Sequence, residues 1–405
     1  MNSIRFNSLC RALLLPALLL DFSANAQPLV LSNAAPRAIP RRASIILVVA
    51  NGLGYGDLSC YGQTNFQTPN LDKLAAEGIR FTNYSTGTAA GSPALAALMT
   101  GKESIQQHQR THMDILVTPD GITVTQTVAQ VLKNSGYHTG LIGEWDLGDE
   151  NSSSAPWKKG FDEFAGYFNA NDAGNFYADY MWRFIPTETY DESYNDPVNG
   201  HWRHWNQGDG SHLPGKEMIY ENTQGKNQYI PDLLTKAALN FVKNNQPDQF
   251  NRYQPFFLLL NYKIPGDGKS QVPTDAPFSD ESWPQPAKNK AAMIARLDGY
   301  LAQLQEQLNK LGLSNNVAVF FTSAMIPQKT AAVDPNFFHS LVSSNDLRVP
   351  MIVRWPDQIP AGAVSSFKWS AKDFLPTAAE IGFTKPPEGI DGVSVLPALQ
   401  ERAKK

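Results

Sequence analysis

Runs of apolar, often β-branched residues alternate along this chain with stretches in which apolar positions recur every three or four residues. Residues 45–50, 139–142, 256–262, 317–322 and 351–354 are apolar almost throughout, the pattern of strands buried on both faces. Residues 125–134, 231–244 and 288–311 repeat at helical spacing instead, and Met293, Leu297, Leu301 and Leu304 form one stripe of the last. Thr68-Pro69 predicts a helix start, with Leu71, Leu74 and Ala75 on the inner face and Gly78 as the stop. Ser92-Pro93 predicts another, capped by Ser92 and ending near Gly101. Alternation of this kind predicts an α/β fold: a largely parallel central sheet with helices on both faces.

Open parallel sheets bind ligands beyond the carboxyl ends of their strands. Asn51, Glu144, Gly266 and Ala324 each follow a predicted strand end and are expected to meet in one crevice. Residues 166–212 break the alternation with Tyr, Trp, Asn, Asp and Gly, and read as an aromatic-rich insertion over the crevice rim.

Charge narrows the partners. The formal charge of −4 over 405 residues, with no long basic run, makes nucleic acid and anionic membrane surfaces unexpected. At the amino terminus Arg5 and Arg11 precede a short apolar run followed by Ala24-Asn25-Ala26. Residues 1–26 therefore read as a cleavable signal peptide, with an uncleaved anchor as the alternative. The stretch is too short to span a bilayer. Residues 27–43, rich in Pro, Ala and Arg, read as a linker, and 44–405 as the folded domain. The expectation is an exported protein, periplasmic or secreted, with no transmembrane span after cleavage. Loss of Cys10 would leave Cys60 as the sole cysteine, so no internal disulfide is expected, and Cys60 reads as a small buried apolar residue.

The segment "ILVVANGLGYGDLSCYGQTNFQTPNLDKLAAEGIRFTNYSTGTAAGSPALAALMTGK" resembles the opening of the type I sulfatases of the alkaline-phosphatase superfamily. Later landmarks follow in matched order: "GYHTGLIGEWDLGD", "KKGFDEFAGYF", "PFFLLLNYKIP", "VAVFFTSAMI", "LRVPMIVRWP" and "GIDGVSVLPAL". The resemblance runs from about Ser44 to about Leu399 and implies a sulfatase-like fold with a shortened C-terminal subdomain.

It also implies where the chemistry would sit. Active members hold calcium with two aspartates, a third aspartate and an asparagine, and those positions fall here on Asn51, Gly52, Ala324 and Met325. Calcium takes about six to eight oxygens, and only Asn51 could still give one, so no cofactor is expected. The nucleophile position falls on Gly91, and the arginine of the same motif on Leu95. The basic positions that grip sulfate fall on Glu144, Asp146, Gly266 and His339. On this reading the pocket retains two carboxylates, about −2, and repels a sulfate by about 1–4 kcal/mol per pair of charges.

Glu144 and Asp146, two apart, would face one side of a strand. They read either as a carboxylate pair for acid/base chemistry or a new metal site, or as solvated survivors of a relaxed site. His201 and His204, with His212 following, have a spacing that could hold a metal, but their surroundings read as loop. Trp182, Tyr190, Tyr194, Trp202 and Trp205 would stack on sugar rings, cover a partner site, or simply pack the insertion. Asp57 and Asp298 read as structural caps or ion-pair members.

The expectation is a sulfatase-like pseudoenzyme without nucleophile or calcium ligands, binding a carbohydrate-like ligand, a sulfated ester or a protein partner. The alternative is an active arylsulfatase-type or phosphate-ester hydrolase with a site rebuilt from Glu144, Asp146, His339 and Asn51.

Overall fold

Twelve strands appear in the computed structural model, which describes residues 42–88, 91–103, 126–168, 176–177, 181–184, 216–219, 228–246, 254–264, 272–325 and 347–401. They are β1 (Ser44–Asn51), β2 (Ile79–Phe81), β3 (Tyr84–Ser85), β4 (His138–Glu144), β5 (Glu163–Tyr167) and β6 (Met181–Phe184). The rest are β7 (Lys216–Ile219), β8 (Phe256–Lys263), β9 (Val317–Thr322), β10 (Met351–Arg354), β11 (Ala363–Ser365) and β12 (Trp369–Ser370). Ten of them make one sheet in the order β11-β2-β10-β9-β1-β8-β4-β5-β6-β7, and β3 pairs with β12 apart from it. The centre, β9-β1-β8-β4-β5, is parallel throughout. The alternation of apolar runs with helices therefore builds the sheet it predicts.

Helices cover both faces: α1 (Pro69–Ala76), α2 (Gly91–Thr100), α3 (Val128–Asn134), α4 (Ile230–Asn244), α5 (Gln285–Lys310), α6 (Phe374–Ile381) and α7 (Leu396–Gln400). Side chains of a strand point alternately to opposite faces, and β1 divides the core accordingly. Ile46, Val48 and Ala50 pack with Leu71 and Leu74 of α1, Leu234 of α4 and Met293, Leu297, Leu301 and Leu304 of α5. Ile45, Leu47 and Val49 pack with Leu95 and Leu98 of α2, Val128 and Leu132 of α3, and Phe374 of α6. Each of these side chains larger than alanine, removed from water, stabilises by about 1.5–3 kcal/mol.

The edges depart from the sequence expectation. β10 runs antiparallel to both β9 and β2, because the chain re-enters the sheet in the opposite sense and apolar pattern carries no direction. Within 166–212, only residues 166–168, 176–177 and 181–184 are described, and 181–184 form β6, an antiparallel strand added to β5 and continued by β7. Residues 1–41, which include the expected signal peptide and most of the linker, lie outside the described residues. Among the described residues no helix is long and apolar enough to cross a membrane.

Two acidic residues fix the approach to β1's exit, as their sequence setting suggests. Asp57 accepts the Gly54 N–H at 2.8 Å and pairs with Lys290 of α5 at 2.9 Å. Asp298 of α5 accepts the Asn70 and Leu71 backbone N–H groups at 3.0 and 2.8 Å, capping α1 from outside. Thr68, expected to cap α1, sits at the N-cap position without a side-chain cap bond. Its hydroxyl accepts the Ser59 N–H at 3.0 Å instead.

Candidate functional site

The carboxyl ends of β1, β8, β4 and β9 carry the polar groups that the sheet cannot bury in its centre. β1 ends at Asn51, whose Nδ2 donates to Asn261 Oδ1 of β8 at 3.0 Å. Asn261 Nδ2 in turn donates to the backbone oxygen of Glu144, the last residue of β4, at 2.6 Å. Asn51 and Glu144, expected together, are thus joined through a residue that the sequence reading passed over. Asn51 Oδ1 is buried with no hydrogen-bond partner among the described residues.

Lys263 ends β8 opposite Asn51 in the β1 register, and its Nζ lies 3.7 Å from Glu144 Oε1. This corrects the charge expected from sequence: one of the two carboxylates has an ammonium beside it, so the reversal of sign is weaker than about −2. Tyr167 is the register partner of Glu144 on β5. Burial, and then the Glu144 charge, push its phenol well above the ordinary tyrosine range, so it remains a neutral hydroxyl.

Glu144 and Asp146 do not share a strand face. β4 stops at Glu144, and Asp146 has φ +52, a left-handed conformation that Asp tolerates better than most residues. The intervening Trp145 is fully buried, with its Nε1 donating to Ser154 O at 2.7 Å. The Asp146 N–H donates to Phe168 O at 2.7 Å. The bend sends the two carboxylates to different partners: Glu144 to Lys263, and Asp146 to the hydroxyl of Ser92, which donates to Asp146 Oδ2.

Ser92 is the second residue of α2, which begins at Gly91, so it lies inside the first turn rather than at the cap. Gly91, the position that the resemblance implies for the nucleophile, faces Met325: a Cβ on Gly91 would sit 3.4 Å from both Met325 Cβ and Sδ. A Cβ on Gly52 would lie 3.6 Å from Met325 Cε and 2.0 Å from the Ile264 carbonyl oxygen. The Met325 thioether therefore occupies the space between those two glycines. Its backbone is held by Ser323, whose hydroxyl donates to Met325 O at 2.8 Å. Leu95 and Ala324 are buried in the core beside α2. Among the four implied calcium positions only Asn51 carries a side-chain oxygen, and among the described residues no group of three or more His, Cys, Asp or Glu is placed to hold a metal.

Trp182 is half-buried on β6, edge-on to Phe168 with ring centroids 5.4 Å apart. Gly266, His339, Tyr190, Tyr194, Trp202, Trp205, His201, His204 and His212 lie outside the described residues. Cys60 is a half-buried free thiol, and burial followed by the Asp72 charge pushes its pKa far up, which leaves it unreactive. Asn261 and Lys263 had a readable signal: they are polar residues at period-two positions closing an apolar strand. Nothing in the sequence indicated that Met325 would fold over Gly91.

The family model described as Sulfatase matches residues 43–382. The chain is 30% identical over 379 residues to N-acetylgalactosamine-6-sulfatase of Canis lupus familiaris, covering 89% of this chain and 66% of that protein. It is 27% identical over 387 residues to arylsulfatase A of Homo sapiens, covering 92% and 70%. Among solved structures it is similar to Ps i-CgsB in complex with k-i-k-neocarrahexaose, with TM-score 0.62 and 25% identity, covering 88% of this chain and 76% of that one. The chain spans about two thirds of the length of the curated relatives it matches, 66% for the N-acetylgalactosamine-6-sulfatases.

Proposed function

This chain belongs to the sulfatase family, and we propose that within it the protein is an exported pseudoenzyme that binds a carbohydrate-like ligand and does not hydrolyse sulfate esters by the family's route. The observation that carries this reading is Met325. Its thioether fills the space over Gly91 and Gly52, where the resemblance puts the nucleophile and a metal ligand. An apolar side chain there neither attacks sulfur nor stabilises charge building up on a sulfuryl group, and that stabilisation is usually the largest catalytic contribution. Leu95 in place of the motif arginine and the carboxylates of Glu144 and Asp146 act in the same direction.

A carbohydrate is the ligand class favoured by similarity, since Ps i-CgsB is described in complex with k-i-k-neocarrahexaose. One observation favours a second reading, a rebuilt sulfate- or phosphate-ester hydrolase. The Ser92 hydroxyl donates to Asp146 at the first turn of α2, an arrangement in which a carboxylate accepts the proton of a nucleophile.

The deciding experiment combines chromogenic aryl-sulfate and aryl-phosphate assays with calorimetric titration of k-i-k-neocarrahexaose. The expected result is oligosaccharide binding with no turnover, with or without added calcium. Turnover abolished by Ser92→Ala or Asp146→Asn would overturn the pseudoenzyme reading in favour of the second.

A further inference from the structure

The backbone beside Gly52 leaves no room to put a metal ligand back. Gly52 has φ +92, and the Ile264 carbonyl oxygen stands 2.0 Å from where its Cβ would be. That carbonyl is held because the Ile264 N–H donates to Asn51 O at 2.6 Å, carrying the contact between β1 and β8 one step beyond Lys263. Met325 closes the other side of the same space. The residues present therefore do not fit the calcium ion that the family resemblance implies.

A crevice without that ion still has to accommodate Glu144, which is only 4% exposed. An ionised carboxylate at that depth is costly unless an opposite charge and hydrogen bonds accompany it. β8 supplies the opposite charge, and from a second position on the same face it holds the Glu144 backbone. Lys263 brings an ammonium to 3.7 Å from Glu144 Oε1. Two residues earlier, fully buried Asn261 takes a hydrogen bond from Asn51 and gives one to Glu144 O. The ends of β1, β8 and β4 are thus linked through the Asn261 side chain as well as through the backbone ladder.

We propose that Lys263 is the resident cation of this crevice: a tethered ammonium in the electrostatic place of a divalent ion, with the Asn51–Asn261 amide relay joining the strand ends. The inference rests on the reading that the family's metal-dependent centre has been given up. A tethered cation cannot be stripped by a chelator or diluted away, so the fold is expected to be indifferent to calcium.

The test is thermal unfolding of the full chain with calcium chloride, with EDTA, and with neither. The expected midpoint is the same in all three. Lys263→Ala should lower it by about 1–2 °C, and propylammonium chloride, compared with equal sodium chloride, should restore part of the loss. Lys263→Arg should keep the wild-type midpoint. Should Lys263→Ala fail to fold, the double variant Lys263→Met with Glu144→Gln, which removes both charges, should fold. A calcium-dependent midpoint in the wild type would overturn the proposal, as would a loss in Lys263→Ala that no cation restores, or a double variant no better than the single. These outcomes separate from those of the ester assays: metal-independent turnover would sink the pseudoenzyme reading and leave Lys263 in its role, while a calcium shift without turnover would do the reverse.

Discussion

Two lysine–carboxylate pairs lie at opposite ends of the same design problem. Lys290 and Asp57 meet at 2.9 Å with side chains 2% and 0% exposed, between α5 and the turn after β1. Lys263 and Glu144 stand 3.7 Å apart with side chains 21% and 5% exposed, across the ends of β8 and β4. The first is sealed into apolar packing, and its carboxylate also holds the Gly54 N–H, so a change at either partner is felt by the whole β1 exit. The second is open to water on the lysine side, and its components can be exchanged at lower cost. The sulfatase likeness is plain in the segment that contains the first pair, "LGYGD". Sealed charges resist substitution because solvent cannot repair the damage; charges at a crevice mouth can be replaced piecemeal.

The largest expected effect tests that contrast directly. Lys290→Met should cost about 3–5 kcal/mol by urea unfolding, since removing one partner of a buried pair leaves the other charge in the interior. Lys263→Met should cost about 1 kcal/mol, nearer the value for partly exposed pairs. Equal losses would break the comparison. Next in size, Gly52→Asp, which puts a carboxylate at a metal position implied by the resemblance, should cost about 3 kcal/mol from backbone strain and the collision with Ile264 O, and calorimetry should find no calcium affinity gained. Retained stability in that variant would mean that the crevice backbone is as adaptable as its side chains.

A smaller effect sharpens the picture on the scaffold side. His138 begins β4, with Nε2 2.7 Å from Glu163 Oε1. Burial disfavours its charged form, but the Glu163 hydrogen bond and the Glu163 and Asp162 charges outweigh burial and the opposing Lys133, and its pKa is raised. A pKa raised by folding contributes stability that is fully present below the unfolded value, about 6.5, and lost as pH rises through the folded one. Stability measured across that window should therefore decline toward higher pH, and His138→Gln should flatten the decline. An unchanged slope would assign the effect to other groups.

The centre of the fold was legible because β1, β8 and β9 are apolar on both faces, a pattern that only a covered parallel sheet accommodates. The same pattern said nothing of direction, which is why β10 reads as a strand but not as an antiparallel one. β5 escaped notice because 163–167 mixes Glu, Gly and aromatics in too short a run. At the site, the positions of Asn51 and Glu144 followed from strand ends, and the roles of Asp57 and Asp298 from their place in the framework. The bend at Asp146 was hidden because a left-handed Asp looks in sequence like any other. The contacts of Ser92 with Asp146, 54 residues apart, and of Met325 with Gly91 are tertiary, and no local spacing reports them.

The central strand also sets the timetable of biosynthesis. β1 comes early in the chain, yet its two neighbours begin at residues 256 and 317. A chain emerging amino terminus first carries the apolar run of β1 without either hydrogen-bonding partner until residue 256 has been passed, and long-range pairing of this kind forms slowly. During that interval the strand is both a target for holding chaperones and an aggregation risk.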